Sequence, residues 1–124
     1  MQGSMVEEKR RFSRISYDAK ARIIVNDKEF CVDRIINISV GGCQVALQQA
    51  IPLHTDCVFV VVLEGISEGV RVHGRVVRCS PGALSLKFTA VDPQNLFHLH
   101  NILRYNSDNP DRIEKEISKR PGLK

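Results

Sequence analysis

The sequence predicts an all-β fold with a C-terminal helix, arranged as a small six-stranded antiparallel β-barrel. Short apolar or alternating segments, separated by turn residues, run from residue 15 to residue 90. After Asp92 the spacing of apolar residues changes to the period of an α-helix. Short turns favour antiparallel neighbours, and closing such strands into a barrel removes the exposed edges of the sheet.

Length and composition indicate one globular domain, since the chain has 124 residues of which 43% are hydrophobic. No apolar run approaches the ~20 residues of a membrane-spanning helix. The N-terminus has no apolar core of a secretory signal, so we expect a cytoplasmic protein without membrane insertion. Four cysteines lack metal-type spacing and are expected to be free thiols in the core. Residues 1–4 (MQGS) have the composition of a cloning remnant.

The first half of the predicted barrel contains three strands. Residues 20–25 (KARIIV) form the first, and the turn-forming residues 26–28 (NDK) follow it. Residues 29–39 form a long second strand that ends in a polar, glycine-containing cluster. Residues 43–48 (CQVALQ) alternate apolar and polar side chains, as a half-buried strand does.

The second half contains three more strands. Residues 57–64 are apolar except for the final Glu64, which favours a strand buried on both faces, and residues 65–69 (GISEG) are predicted to form a turn. Residues 70–80 alternate until the adjacent valines at 76 and 77, which indicates a slip in register, and Gly74 indicates a bulge or bend. A Pro-Gly turn then leads into the last strand, residues 83–91.

Two helices are predicted after the strands. Asp92 as N-cap and Pro93 at the first helical position begin a helix over residues 92–105, whose leucines recur at helical spacing. Residues 111–120 are a candidate second helix, with Asn109 as its cap. Its only apolar pair, Ile113 and Ile117, predicts a helix that either frays in isolation or docks weakly. We therefore divide the chain into a flexible basic arm (1–14), a barrel with its helix (15–105) and a polar C-terminal segment (106–124).

Basic residues are concentrated in two segments, within a net charge of +4. Between residues 9 and 22, six basic residues stand against one acid, Asp18. The second segment carries three arginines over residues 71–78. If the fold brings both segments together, the resulting positive face attracts phosphates.

Two short motifs suggest one anion-binding site. Arg10 and Arg14 offer planar forks of donors that match phosphate oxygens and the edge of guanine. Residues 37–42 (NISVGG) offer an amide, a hydroxyl and backbone N–H groups, and their two glycines permit positive φ and close approach by a ligand. A solvated basic tail and an ordinary turn remain the alternative interpretation of these residues.

The RxxxR arm followed by an [D/N]xSxxG turn resembles the double signature of the PilZ domain family, over residues 8–105. The resemblance implies a six-stranded barrel that binds the bacterial second messenger cyclic di-GMP, and therefore a receptor that needs no cofactor and is not an enzyme. The ligand-binding residues that it implies, together with their basic and glycine neighbours, are Arg10, Arg14, Asn37, Ser39, Gly42, Lys9, Arg11 and Gly41.

In the mechanism that we expect, the ligand draws the arginines onto the barrel, orders the arm and creates a surface for an unknown downstream protein. One alternative is a PilZ-like adaptor that acts without nucleotide. Another is a small barrel that binds single-stranded nucleic acid, which we disfavour because Phe12 is the one clear candidate for an exposed stacking aromatic. An enzyme is disfavoured because no pair of carboxylates, no nucleophile with its base and no metal-ligand spacing stands out.

Overall fold

The computed structural model of the chain describes residue 13, residues 15–63 and residues 65–119, with no side-chain description at residues 66–68. Seven antiparallel strands and then two helices make up this described part. The strands pair in the order β2-β1-β5-β6-β7-β4-β3. Their bounds are β1 Ala21–Val25, β2 Lys28–Val32, β3 Arg34–Ile38, β4 Gly42–Ala46, β5 Asp56–Leu63, β6 Ile66–Ser80 and β7 Ala83–Ala90, and the helices are α1 Pro93–Asn106 and α2 Pro110–Lys119.

A one-residue corner at Asp33 curls the sheet into a barrel. β2 and β3 lie at opposite edges of the sheet, yet only Asp33 separates them in the chain, so the two edges must come together. The Asp33 N–H donates to the carbonyl oxygen of Ala46 (2.8 Å), which ties the corner to the end of β4. The predicted barrel is therefore confirmed. The predicted single strand over 29–39 is wrong in one respect: the corner splits it, which raises the strand count from six to seven.

The turn predicted at residues 65–69 is shorter than expected. Leu63 already pairs with Ile66, so β6 begins there and runs for 15 residues. Gly69 lies within this strand at a φ of +74°, where a Cβ atom would lie 2.7 Å from the carbonyl oxygen of Val61. Gly69 therefore allows β6 to pass close to β5 where their register shifts. The turn between the two strands ends before Ile66.

The predicted slips in the register of β6 are present. Beside Gly74 the pairing with β7 shifts by one residue, and a second shift skips Val77. The side chain of Val77 is consequently exposed. Two irregularities within one long strand allow β6 to bend with the barrel wall.

The core lies inside the barrel and beneath α1. Phe59 and Phe88 stack at its centre with ring centroids 6.1 Å apart, and Leu99 and Leu103 cover it from the helix. Burying a side chain of this size contributes roughly 1.5–3 kcal/mol. The other fully buried large side chains are Ile23, Ile38, Leu47, Leu84, Ile113, Val40, Val45 and Val60.

The four cysteines are free thiols, but only two of them belong to the core. Cys43 and Cys57 are buried, whereas Cys31 and Cys79 are exposed, which corrects the expectation for the latter pair. Burial and the neighbouring Asp56 raise the pKa of the Cys57 thiol to about 11. Cys57 therefore stays protonated at neutral pH.

Both predicted helices are present. Asp92 caps α1, because its side chain accepts the N–H of Asn95 (2.8 Å), and this bond lowers the pKa of Asp92. The side chain of Asn95 in turn accepts the N–H of Arg71 (3.1 Å), which ties α1 to β6. Asn109 caps α2 through the N–H of Arg112 (3.2 Å). Within the described residues, neither helix has the length and apolar character needed to cross a bilayer.

Candidate functional site

Ser39 shapes the polar turn between β3 and β4 from the inside. Its N–H donates to the carbonyl oxygen of Gly42 (2.8 Å), which closes the turn. Its hydroxyl accepts the N–H groups of Gly41 (3.3 Å) and Gly42 (3.2 Å) and donates to the Gly42 carbonyl oxygen (3.2 Å). A hydroxyl has one donor and two acceptor positions, so these bonds use its full capacity. Ser39 is also buried, and its structural contribution is to hold the turn in shape.

Gly42 allows β4 to approach β7 closely. A Cβ atom at this position would lie 2.2 Å from the carbonyl oxygen of Leu86, a distance that no side chain tolerates. Its φ lies outside the left-handed region, so Gly42 does not use the positive φ that a glycine permits. The Phe88 N–H donates to the Gly41 carbonyl oxygen (2.9 Å), which fastens the turn to β7.

Asn37 begins a row of polar side chains that crosses four neighbouring strands. Its amide nitrogen donates to the Gln44 side-chain oxygen on β4 (3.2 Å). In register, Gln44 lies opposite Ser85 on β7, and Ser85 lies opposite Arg78 on β6. Paired residues of antiparallel strands share a face, and three strand spacings place Arg78 about 14 Å from Asn37. This polar row is the outward face of the barrel next to the turn.

The root of the N-terminal arm lies against the strand that leads into the turn. Ile15 and Ile38 exchange two backbone hydrogen bonds, each 2.9 Å long. Both residues are buried, and Ile38 lies between Asn37 and Ser39 in the chain. The fold thus brings the end of the arm to the Asn/Ser motif. The implied arm residues Lys9, Arg10, Arg11 and Arg14 lie outside the described residues.

The second basic segment contributes unequally to this face. Arg78 belongs to the polar row, whereas the guanidinium of Arg75 is paired with Asp56 (2.9 Å). Arg71 lies seven residues before Arg78 on the same strand, roughly 23 Å away at the rise of a β-strand. Of the three arginines, Arg78 is therefore the one that the sheet aligns with the turn.

The sequence interpretation missed a contact between the arm and the C-terminal helix. Ser13 donates its N–H to both carboxylate oxygens of Glu116 (3.1 and 3.0 Å) and its hydroxyl to one of them (2.8 Å). Glu116 is buried, and Arg112 one turn earlier completes its pairing (3.4 Å). An available signal was the position of Glu116, three residues after Ile113, on the helix face that also carries Ile117.

The sequence profile of the PilZ domain matches residues 8–105. The chain belongs to the PilZ domain family. PilZ domains are non-catalytic receptor domains that typically bind cyclic di-GMP. Among curated protein sequences, none matches this PilZ chain significantly.

Solved structures share the fold at low sequence identity. The chain is similar to the PilZ domain of YcgR from Escherichia coli with c-di-GMP, at 18% identity and a TM-score of 0.62, covering 90% of this chain and 98% of that one. It is also similar to the Bacillus subtilis inhibitor of motility (MotI/DgrA), at 18% identity and a TM-score of 0.60, covering 90% of this chain and 53% of that one. A third similar structure is the PilZ domain of CeSA from a cellulose-synthesizing bacterium, at 18% identity and a TM-score of 0.57, covering 76% of this chain and 94% of that one.

Proposed function

We propose that this PilZ domain is a bacterial cyclic di-GMP receptor that binds its ligand between the N-terminal arm and the turn at residues 37–42. The hydrogen-bonded pair of Ile15 and Ile38 carries this proposal, because it brings the root of the arm to the turn. Arg14 directly precedes Ile15, and consecutive Cα atoms are about 3.8 Å apart. The arginines of the arm are thus tethered within reach of any phosphate held at the turn.

The proposed roles follow from the chemistry of each side chain. Arg10 and Arg14 bind phosphate oxygens and guanine, for which a guanidinium supplies both a donor fork and a stacking plane. Asn37, oriented by Gln44, contacts the ligand from the polar row. Ser39 preserves the shape of the turn. The proposed site also includes Lys9, Arg11, Gly41 and Gly42.

The energetics suit a reversible receptor. Two charge-assisted contacts contribute roughly 1.5–3 kcal/mol each, and base stacking adds roughly 1–3 kcal/mol per base. Ordering the arm costs about 2–5 kcal/mol. Toward the upper end of these ranges the balance allows roughly micromolar affinity, which requires about 8 kcal/mol. In this proposal, the ordered arm is the new surface that a downstream protein binds.

Calorimetric titration of cyclic di-GMP into the wild type and Arg14→Ala tests the proposal. We expect micromolar or tighter binding that the substitution abolishes. Arg71→Ala is the matched control, since it removes the same side chain from the distant end of β6. GMP and a short single-stranded DNA should give no comparable heat. If cyclic di-GMP does not bind, the receptor function is wrong, and binding of the DNA would favour the nucleic-acid alternative.

A further inference from the structure

Glu116 is an acid in a position where the packing of α2 calls for an apolar residue. Ile113 on the same helix face is fully buried, and Ile117 packs partly against the core. Glu116 shares this face and is only 7% exposed. A carboxylate at such a site costs free energy unless hydrogen-bond donors surround it. The donors that meet it therefore explain why an acid occurs there.

These donors come mainly from the arm. Ser13 supplies its N–H and its hydroxyl across 103 residues of sequence, while the guanidinium of Arg112 is itself largely exposed. Ser13 is also the residue between Phe12 and Arg14, within the RxxxR motif. The contact therefore holds the backbone of the motif itself. Two residues later, Ile15 is held on β3 by its own hydrogen bonds.

We propose that Glu116 is a positioning residue that fixes the root of the arm for nucleotide binding and so couples α2 to the ligand. This inference rests on the proposed receptor function. The contact fixes the backbone at Ser13, so part of the entropy cost of ordering the motif is met before the ligand arrives. Because coupling between two sites is reciprocal, bound ligand in turn strengthens the docking of α2.

Three substitutions test the contact from both sides. Glu116→Gln keeps the shape but presents an amide N–H₂ to donors, and Ser13→Ala removes the hydroxyl donor without touching the helix. Ser13→Thr restores that donor and should restore binding. Glu114→Gln is the matched control, because it makes the same change on the same helix at an acid that pairs with Arg104 instead of the arm.

Two measurements are needed on the full chain. Hydrogen exchange without ligand reports whether the Ser13 amide loses protection in Glu116→Gln but keeps it in Glu114→Gln. Calorimetry with cyclic di-GMP then reports affinity, and we expect Kd to rise about tenfold in Glu116→Gln, the scale of holding one residue's backbone in place. Adding Ser13→Ala to Glu116→Gln should weaken binding no further, because one contact is lost only once.

The outcomes separate the two proposals. If the wild type binds and Glu116→Gln binds equally well, the positioning role is wrong while the receptor function stands. Tighter binding by Glu116→Gln would also overturn it, since α2 would then restrain the arm against the ligand. If Glu116→Gln fails to fold, Ser13→Ala with rescue by Ser13→Thr decides the question. If the wild type does not bind, the receptor function and the inference built on it both fail.

Discussion

The hydroxyl of Ser39 and the missing side chain of Gly42 shape one turn by different means. Ser39 fills the turn with three hydrogen bonds, whereas Gly42 leaves room for the backbone of β7. Both effects exist without any ligand. Substitutions at these residues should therefore alter the stability of the free protein as well as its affinity for nucleotide.

We expect Gly42→Ala to lower the free energy of unfolding by about 2–3 kcal/mol, because its Cβ meets the carbonyl oxygen of Leu86 and β4 must move away from β7. Urea unfolding of the ligand-free protein measures this. The control is Gly65→Ala, where a φ of +88° costs about 1 kcal/mol but the added Cβ meets no described atom within 4 Å beyond the adjoining residues. Equal losses in both variants would contradict the steric explanation.

Ser39→Ala should cost about 1–3 kcal/mol, because the N–H groups of Gly41 and Gly42 lose their acceptor inside the protein. Thermal or urea unfolding without ligand shows the loss. Ser80→Ala, at an exposed serine, should change stability little. A Ser39→Ala protein of unchanged stability but reduced nucleotide affinity would show that the hydroxyl acts on the ligand directly.

At the level of whole elements, most strands and both helices follow from local pattern. The cap residues Asp92 and Asn109 marked the helix starts, and the paired valines at 76 and 77 marked a bulge. The corner at Asp33 was not predictable in this way. The residues around Asp33 alternate irregularly between apolar and polar. Such a sequence is compatible both with one continuous strand and with two strands that meet at a corner. Only the pairing partners of β2 and β3 distinguish the two.

The pair of helices gives a pH dependence through His100. Burial, together with the nearby Arg104, lowers the pKa of His100, with Glu114 opposing, and its Nε2 atom has no hydrogen-bond partner within the described part of the chain. The folded state therefore binds this proton less readily than the unfolded chain. The contribution of neutral His100 to the free energy of unfolding is fully present above about pH 6.5. It is lost as the pH falls through the lower pKa of the folded state.

Urea unfolding between pH 7.5 and pH 5 checks this expectation. The wild type should lose stability on acidification relative to His100→Gln, which has no proton to bind there. His98→Gln keeps His100 and should retain the slope of the wild type. Parallel stability curves for the wild type and His100→Gln would show that protonation of His100 does not oppose folding.

At the scale of the whole molecule, the site depends on contacts between distant parts of the chain. The RxxxR and NISVGG motifs were recognisable as sequence, but the position of Ile15 beside the second motif depends on its two hydrogen bonds with Ile38. The sequence named Ser39 and Gly42 as ligand-binding residues but did not reveal the contacts that they make within the protein. Gln44 and Arg78 lie in the same polar row as Asn37 only because of the order in which the strands pair in the sheet. Local periodicity contains no information about such pairings.

Nucleotide binding should stabilise the whole domain, because a ligand that binds only the folded state shifts the unfolding equilibrium. At a free concentration of 100 times Kd, cyclic di-GMP should add about 2.7 kcal/mol, which corresponds to a rise in Tm of about 10 °C for a chain of this size. Thermal unfolding with and without ligand measures the shift. Arg14→Ala should show none, and an equal shift in that variant would place the ligand elsewhere.

The contact between Ser13 and Glu116 also has a mechanical consequence. It joins residues 103 positions apart, so a force that pulls the two ends of the chain away from each other loads this contact before the sheet. Three hydrogen bonds resist there, whereas much longer ladders of paired residues join β5, β6 and β7. Tension should therefore separate Ser13 from α2 first, while Ile15 stays paired with Ile38 and the barrel stays folded. If Glu116 positions the arm as proposed, this domain, anchored at both ends, would lose nucleotide affinity under load and regain it on release.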